Sequence, residues 1–394
     1  MYNGNGRRSY EVRSRIPRVQ PVRQKPSGLA IVLAVLIGAA LLVGAGYLGA
    51  FLATAGDSKS DLTAVLYDDP TVTGEILTDI SYTGEELGAV KAAELAKRSV
   101  VEIDAAEAGR GSGVVIAVSE VNADGTGEDA AYIITNCHVV KGAGEIKVTL
   151  PGGTKCDALW AKGDEAGDIA VIKIAVDCSA IGLKAAVSGT GVQPQAGQQV
   201  IAVGNPLGDL GGSVAVGYIA ASNRTVMVGD RKMDLIQLDM SLNAGNSGGG
   251  LFDLRGALIG IVNAKSLAPD AEGIGFAIPL SDAVTAAVGI MERGYAPGRV
   301  DTDMLRFKEV SSGGAMASGL YVSDNSGAEV IPEGAYIVEV DGETISTRAQ
   351  WVALLNEKAV NETIRITYEK DGTVSTETVT LPEKKSCDWE YRRG

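Results

Sequence analysis

The stretch Asn243-Ala-Gly-Asn-Ser-Gly-Gly-Gly-Leu251 decides how this 394-residue chain is read. A serine hydroxyl is a poor nucleophile until a base takes its proton and nearby donors stabilise the oxyanion. Glycines around Ser247 let the backbone turn tightly and aim N–H groups at one point. The amides of Gly245 and Ser247, two residues apart, suit an oxyanion hole. A glycine-rich phosphate loop is the competing reading, but no Gly-Lys-Ser/Thr follows.

Such a serine needs a base, and the chain holds one histidine, His138, in the apolar run Tyr132-Ile-Ile-Thr-Asn-Cys-His-Val-Val140. Neutral imidazole is the usual proton shuttle near neutral pH. The third member is Asp168, at the head of Ile169-Ala-Val-Ile-Lys-Ile174. A carboxylate there sits at the edge of a core, where it can orient the Nδ1 of the base. Asp164 and Glu165, just upstream, read as solvated turn residues. Cys137 reads as a core residue or disulfide partner, because neighbours on an extended segment point to opposite sides.

Around these residues the chain is rich in glycine (51) and poor in aromatics (5%), with many short valine- and isoleucine-rich runs, so the expected fold is mostly β. Val100-Val-Glu-Ile103, Gly113 to Ala117, Ile146 to Leu150, Ile169 to Ile174, Val200 to Val203, Leu235 to Leu238 and Ala257 to Val262 read as strands of a sandwich or barrel. Residues 281–293 have helical spacing and stop at Gly294. A second unit covers 300–383. It includes a strand at Ala335 to Glu343, a helix at Thr347 to Lys358 and a hairpin over Lys370-Asp-Gly-Thr373. Residues 384–394 read as a short charged tail.

The N-terminal end has a different character. Residues 1–28 carry seven basic side chains against Glu11 alone, although the whole chain is at −14. The body is therefore strongly acidic, which argues against nucleic acid. Residues 29–54 are uncharged and mostly apolar, long enough at ~1.5 Å per residue to cross a ~30 Å hydrocarbon core. The basic flank places residues 1–28 in the cytoplasm and the body outside, on a single-pass anchor in the cell membrane. A cleaved signal peptide is the alternative, with Ala53-Thr54-Ala55 as a small-residue site, but its apolar core would be only about 7–15 residues. Residues 55–88 read as an acidic juxtamembrane linker. Cys156 and Cys178 flank two expected strands and could pair across the hairpin base. With one histidine and no Cys-x-x-Cys, neither a metal nor a cofactor is expected.

The order His138, Asp168, Ser247 resembles chymotrypsin-like serine proteases, and among them the HtrA/Deg family. The resemblance rests on Thr135-Asn-Cys-His-Val139, Gly167-Asp-Ile-Ala-Val-Ile-Lys173, Gly204-Asn-Pro206, Gly245-Asn-Ser-Gly-Gly249 and Glu272-Gly-Ile-Gly-Phe-Ala-Ile-Pro279. It implies a trypsin-like protease domain over 89–295, built as two six-stranded β-barrels with the site between them. It further implies a small α+β PDZ-like domain over 300–383, homotrimers and polypeptide substrates. In that family Gly245 and Ser247 would form the oxyanion hole. Leu242 and the strand Ile261, Val262, Asn263 and Ala264 would line the primary specificity pocket, which lacks an acid and so suits small or apolar side chains. The function implied is a membrane-anchored, extracytoplasmic serine endopeptidase of misfolded or regulatory envelope proteins. The alternative is a peptide-binding, chaperone-like protein with an idle core. PDZ modules hold a peptide carboxylate in a Gly-Leu-Gly-Phe-like loop; Asp303 to Lys308 and Ala317 to Val322 depart from that pattern.

Overall fold

The computed structural model describes residues 86–119, 128–189, 191–204, 212–228, 231–264, 273–311 and 317–393. The basic tail, the apolar segment 29–54, most of the acidic linker, and Asn205, Pro206 and Glu272 of the quoted motifs lie outside the described residues. Among the described residues no helix is long and apolar enough to cross a membrane.

After the helix α1 (Gly88–Ala96) come β1 (Val100–Ala105), β2 (Gly109–Ser119), β3 (Ala130–Thr135), the short helix α2 (Cys137–Val140), β4 (Ile146–Thr149), β5 (Lys155–Asp164), β6 (Ile169–Ala175) and α3 (Cys178–Ile181). The six strands run antiparallel in the order β5-β4-β1-β2-β3-β6, and β5 pairs back with β6, so the sheet closes. Alternation along β3 shows why the run is apolar throughout. Ala131 and Ile133 fill this barrel, while Ala130, Tyr132 and Ile134 point to a second core shared with the next barrel.

The second barrel consists of β7 (Gln199–Gly204), β8 (Ser213–Val228), β9 (Arg231–Asp239), β10 (Gly250–Asp253), β11 (Leu258–Asn263) and β12 (Ile274–Pro279), closed in the order β10-β11-β12-β9-β8-β7. Helix α4 (Leu280–Arg293) follows and lays Ala283, Ala287 and Ile290 on the shared core; its backbone turns left-handed at Gly294, ending the helix where the sequence predicts.

Then comes a five-stranded antiparallel sheet of β13 (Arg306–Val310), β14 (Gly319–Asp324), β15 (Tyr336–Val340), β16 (Thr363–Lys370) and β17 (Thr373–Thr380), with the helix α5 (Arg348–Leu355). Thr347 and Gln350 form a capping box at the start of α5. Trp351 is fully buried, stacks edge-on to Phe307 and donates from Nε1 to the Thr302 carbonyl at 2.8 Å. The hairpin forms as expected: Lys370 faces Thr373, with Asp371 and Gly372 both at positive φ.

Three expectations change. The charged tail carries a strand, β18 (Trp389–Arg392), paired antiparallel to β5 as a seventh strand beside the first barrel. Residues 137–140 form a helical turn rather than an extended segment, because the Cys137 and His138 amides both bond to Asp168. None of the four cysteines is in a disulfide, and Cys178 Sγ lies 3.5 Å from the carbonyls of Ala130 and Val176.

Candidate active site

The two barrels supply opposite halves of the site. On the first, α2 carries His138 and the turn before β6 carries Asp168. Asp168 holds φ at +52°, a left-handed conformation that aspartate tolerates better than most residues. Its backbone carbonyl accepts from the Cys137 amide at 3.2 Å and from Asn136 Nδ2 at 3.1 Å. The carboxylate thereby turns under the imidazole. Oδ1 accepts from the His138 amide at 3.0 Å, and Oδ2 lies 2.7 Å from His138 Nδ1. Asp168 is 5% exposed, so this charge is held by hydrogen bonds rather than by water. A proton on Nδ1 leaves Nε2 as the free face of the imidazole, the tautomer a base needs.

Asn263, at the end of β11, donates from Nδ2 to Asp168 Oδ2 at 3.0 Å and so bridges the second barrel to the first. The family resemblance implies Asn263 as part of a pocket wall, and its side chain also makes this contact with Asp168. The signal for that contact was a polar residue closing an otherwise apolar strand. Ile261 and Val262 are fully buried, Ile261 in the shared core and Val262 inside the second barrel, so their side chains offer no surface to a ligand. Leu242 and Ala264 are partly buried against the second barrel's core.

Ser247 lies between a 3₁₀ turn at Ala244–Asn246 and β10. The spacing Gly245 to Gly249 fits the G-x-S-x-G pattern of α/β-hydrolases, yet that elbow joins a strand to a helix, and here a strand follows. Ser112, which the sequence reading did not single out, holds the loop at two points. Its hydroxyl donates to the Gly245 carbonyl at 2.7 Å and its amide to the Ser247 carbonyl at 2.8 Å. Thr135 Oγ1 donates in turn to the Ser112 carbonyl at 2.7 Å. Gly248 has φ +80°, and a Cβ there would come within 2.2 Å of both the Ser112 carbonyl and Thr135 Oγ1, so only glycine fits. Among the described residues no hydrogen bond joins His138 and Ser247. The serine hydroxyl instead accepts from the Ala264 amide at 3.3 Å.

Cys137 packs against Gly163, where an added Cβ would lie 2.5 Å from its sulfur. Burial first, and then the Asp168 carboxylate, push the thiol far above its ordinary value, which disfavours the nucleophilic thiolate. Asp164, expected as a solvated turn residue, is buried instead and accepts from Arg299 Nε at 3.1 Å and Nη2 at 2.9 Å. Glu165 is partly exposed and pairs with Lys141 at 2.6 Å. Among the described residues no cluster of histidine, cysteine or acidic side chains is arranged to hold a metal.

Two closed six-stranded antiparallel barrels, with His138 and Asp168 on one and Ser247 on the other, define the chymotrypsin-like class of fold. Residues 111–261 match the family of trypsin-like peptidase domains. The chain is 31% identical over 301 residues to the serine protease Do-like HtrA of Bacillus subtilis, covering 71% of this chain and 65% of that relative. It is 33% identical over 279 residues to HhoA of Synechocystis sp., covering 66% and 67%. It is also 33% identical over 273 residues to the periplasmic serine endoprotease DegP of Escherichia coli, covering 66% and 54%. This chain belongs to the HtrA family of serine proteases. It spans between about half and two thirds of the length of these relatives. A solved serine endoprotease from Yersinia pestis aligns over 76% of this chain and all of its own at 27% identity, but with a TM-score of 0.48, so the strand topology rather than that superposition defines the fold.

Proposed function

We propose that this chain is a serine endopeptidase that cleaves misfolded or regulatory polypeptides of the cell envelope, with residues 29–54 as its membrane anchor and the barrels outside. The observation that carries the reading is the buried Asp168 carboxylate, 2.7 Å from His138 Nδ1, with Ser247 on the facing barrel. In this reading Ser247 Oγ attacks the scissile carbonyl and His138 takes its proton. Asp168 keeps the tautomer and stabilises the imidazolium. The Gly245 and Ser247 amides receive the oxyanion, on a loop that Ser112 holds from behind. His138 then protonates the leaving amine, and water hydrolyses the acyl-enzyme.

Substrate would lie along Asn263 and Ala264 with its side chain toward Leu242, an apolar surrounding that suits small or apolar residues. Kinship extends the proposal to homotrimers. A peptide ligand of the C-terminal sheet is part of the proposal by kinship alone; within Asp303 to Lys308, Met304 and Leu305 are buried in that module's core and Arg348 bridges α5 to Asp303.

A peptide-binding protein with an idle core is the second reading, and the Ser247 hydroxyl bonded to the Ala264 amide instead of to His138 favours it. A fluorophosphonate probe separates the two. Labelling of the wild type and none of Ser247→Ala supports the protease; a wild type that stays unlabelled across added peptides supports the binder.

A further inference from the structure

The turn that carries Asp168 is held from outside the barrels. Asp164, buried at its start, accepts from both Arg299 nitrogens and from the Gly167 amide at 2.9 Å. Arg299 belongs to the segment between α4 and the C-terminal sheet, and its carbonyl accepts from the Lys384 amide at 2.8 Å. From there the chain's end returns across the same turn. Asp388 Oδ2 accepts from the Glu165 amide at 2.8 Å, and the Asp388 amide donates to the Gly163 carbonyl at 3.0 Å. Lys384 pairs with the Asp388 carboxylate. Immediately afterwards β18 zips onto β5, with Trp389 opposite Gly163 and Tyr391 opposite Ala161, and both aromatic side chains pack on the first barrel's core. A peptide turn has few backbone bonds of its own, so external partners decide how rigidly it stands. The Asp168 amide donates within this turn, to the Glu165 carbonyl at 3.3 Å.

We infer that Asp388 and Arg299 are positioning residues for Asp168: from the C-terminal strap and the inter-module segment they fix the 164–168 turn, and through it the His138–Asp168 bond. The inference rests on the proposed triad, but it concerns a geometry that can be read without turnover. The pocket at this junction, about 620 Å³, is lined by Arg299, Arg348 and Lys384 against Asp164, Asp303 and Asp388. Each cation there is matched by an acid. Of these pairs, Arg299 with Asp164 reaches the turn directly, and Asp388, paired with Lys384, reaches it through the Glu165 amide.

The test compares Asp388→Ala, Asp388→Asn and Arg393→Ala in the full chain. Asparagine retains a carbonyl oxygen that can accept from the Glu165 amide. Arg393→Ala removes the pair with Asp157 at the far end of the strap, 3.0 Å in the wild type, and spares the turn. With ¹⁵N-histidine labelling the only imidazole signal is that of His138, so its Nδ1–H proton resonance reports the bond to Asp168 directly. That resonance should shift or broaden in Asp388→Ala and stay in place in the other two. The maximal rate of fluorophosphonate labelling should fall about ten- to a hundredfold in Asp388→Ala, with probe affinity unchanged, and recover in Asp388→Asn. An unmoved His138 resonance in Asp388→Ala, equal losses in Ala and Asn, or an equal loss in Arg393→Ala would overturn the inference. A wild type that shows the resonance but takes no label would instead count against the protease reading alone.

Discussion

Asn263 donates its side-chain amide to Asp168 across 3.0 Å, joining the two barrels through the carboxylate oxygen that also faces the imidazole. Hydrogen bonds to a charged group contribute about 1.5–3 kcal/mol, and more is lost when a buried charge is left short of donors. Asn263→Ala should therefore lower the unfolding free energy by roughly 2 kcal/mol. It should also slow fluorophosphonate labelling, because Asp168 is then free to turn away from Nδ1. Asn263→Asp should be worse, since it sets a second carboxylate against the first. Thermal melts and labelling rates check both variants; an Asn263→Ala protein with wild-type labelling would detach this bond from the chemistry.

His138→Ala removes the chain's only imidazole, so no other histidine can take over the proton. Loss of a base in such a triad costs on the order of 10⁴- to 10⁶-fold in turnover, the remainder coming from binding and the oxyanion hole. The folded state should survive, because His138 is partly exposed and the Asp168 carboxylate keeps the residue-138 backbone amide and Asn263. Peptide hydrolysis measured beside a melting curve decides this; a variant with near-wild-type hydrolysis would remove His138 from the mechanism.

Gly248→Ala should be disabling. The left-handed backbone costs an L-residue roughly 1–2 kcal/mol, and the new methyl would press on backbone and hydroxyl oxygens at 2.2 Å. Gly182→Ala isolates the first cost, because Gly182 is also left-handed, at φ +64°, with nothing within 4 Å of an added Cβ. Gly182→Ala should lose about 1 kcal/mol and keep full labelling, whereas Gly248→Ala should lose both stability and labelling. Equal behaviour of the two in urea titrations would show that the Ser112 and Thr135 contacts yield without cost.

Much of this architecture is written locally. Glycine-bounded valine and isoleucine runs are strands, Asp371-Gly372 turns a hairpin, and Gly294 stops a helix, because each depends on neighbours within a few residues. The local contexts of His138 and Asp168 pointed at residues that stand 2.7 Å apart. What stayed hidden depends on distant partners. The four residues of β18 have no strand signal strong enough to overcome their charged flanks, and they become a strand by pairing with Trp160 to Gly163, far back in the chain. The valines after His138 favour extended backbone, and two bonds to Asp168 bend them into a helical turn. Asp164 reads as a turn acid until Arg299 arrives from beyond the second barrel.

Cys137 carries the last prediction. Its thiol is held far above the ordinary range by burial and by Asp168, whereas an unfolded chain releases that proton near pH ~8.5. Below that value both states keep the proton and the group is neutral to stability. Above it the unfolded state binds fewer protons than the folded one, so stability falls as pH rises. With the folded thiol still protonated, the wild type should lose roughly 1.4 kcal/mol per pH unit relative to Cys137→Ala above about pH 9. Cys137→Ala also leaves a small cavity beside Gly163, but that cost does not vary with pH and cancels when the two urea midpoints are compared at pH 8 and pH 10. The native wild type should likewise resist iodoacetamide at Cys137 at pH 8 and react there once unfolded, which mass spectrometry reads residue by residue. Parallel stability curves for the two proteins, or rapid native alkylation at Cys137, would mean that the thiolate forms readily beside Asp168, and the cysteine would then have to be reconsidered as a reactive group.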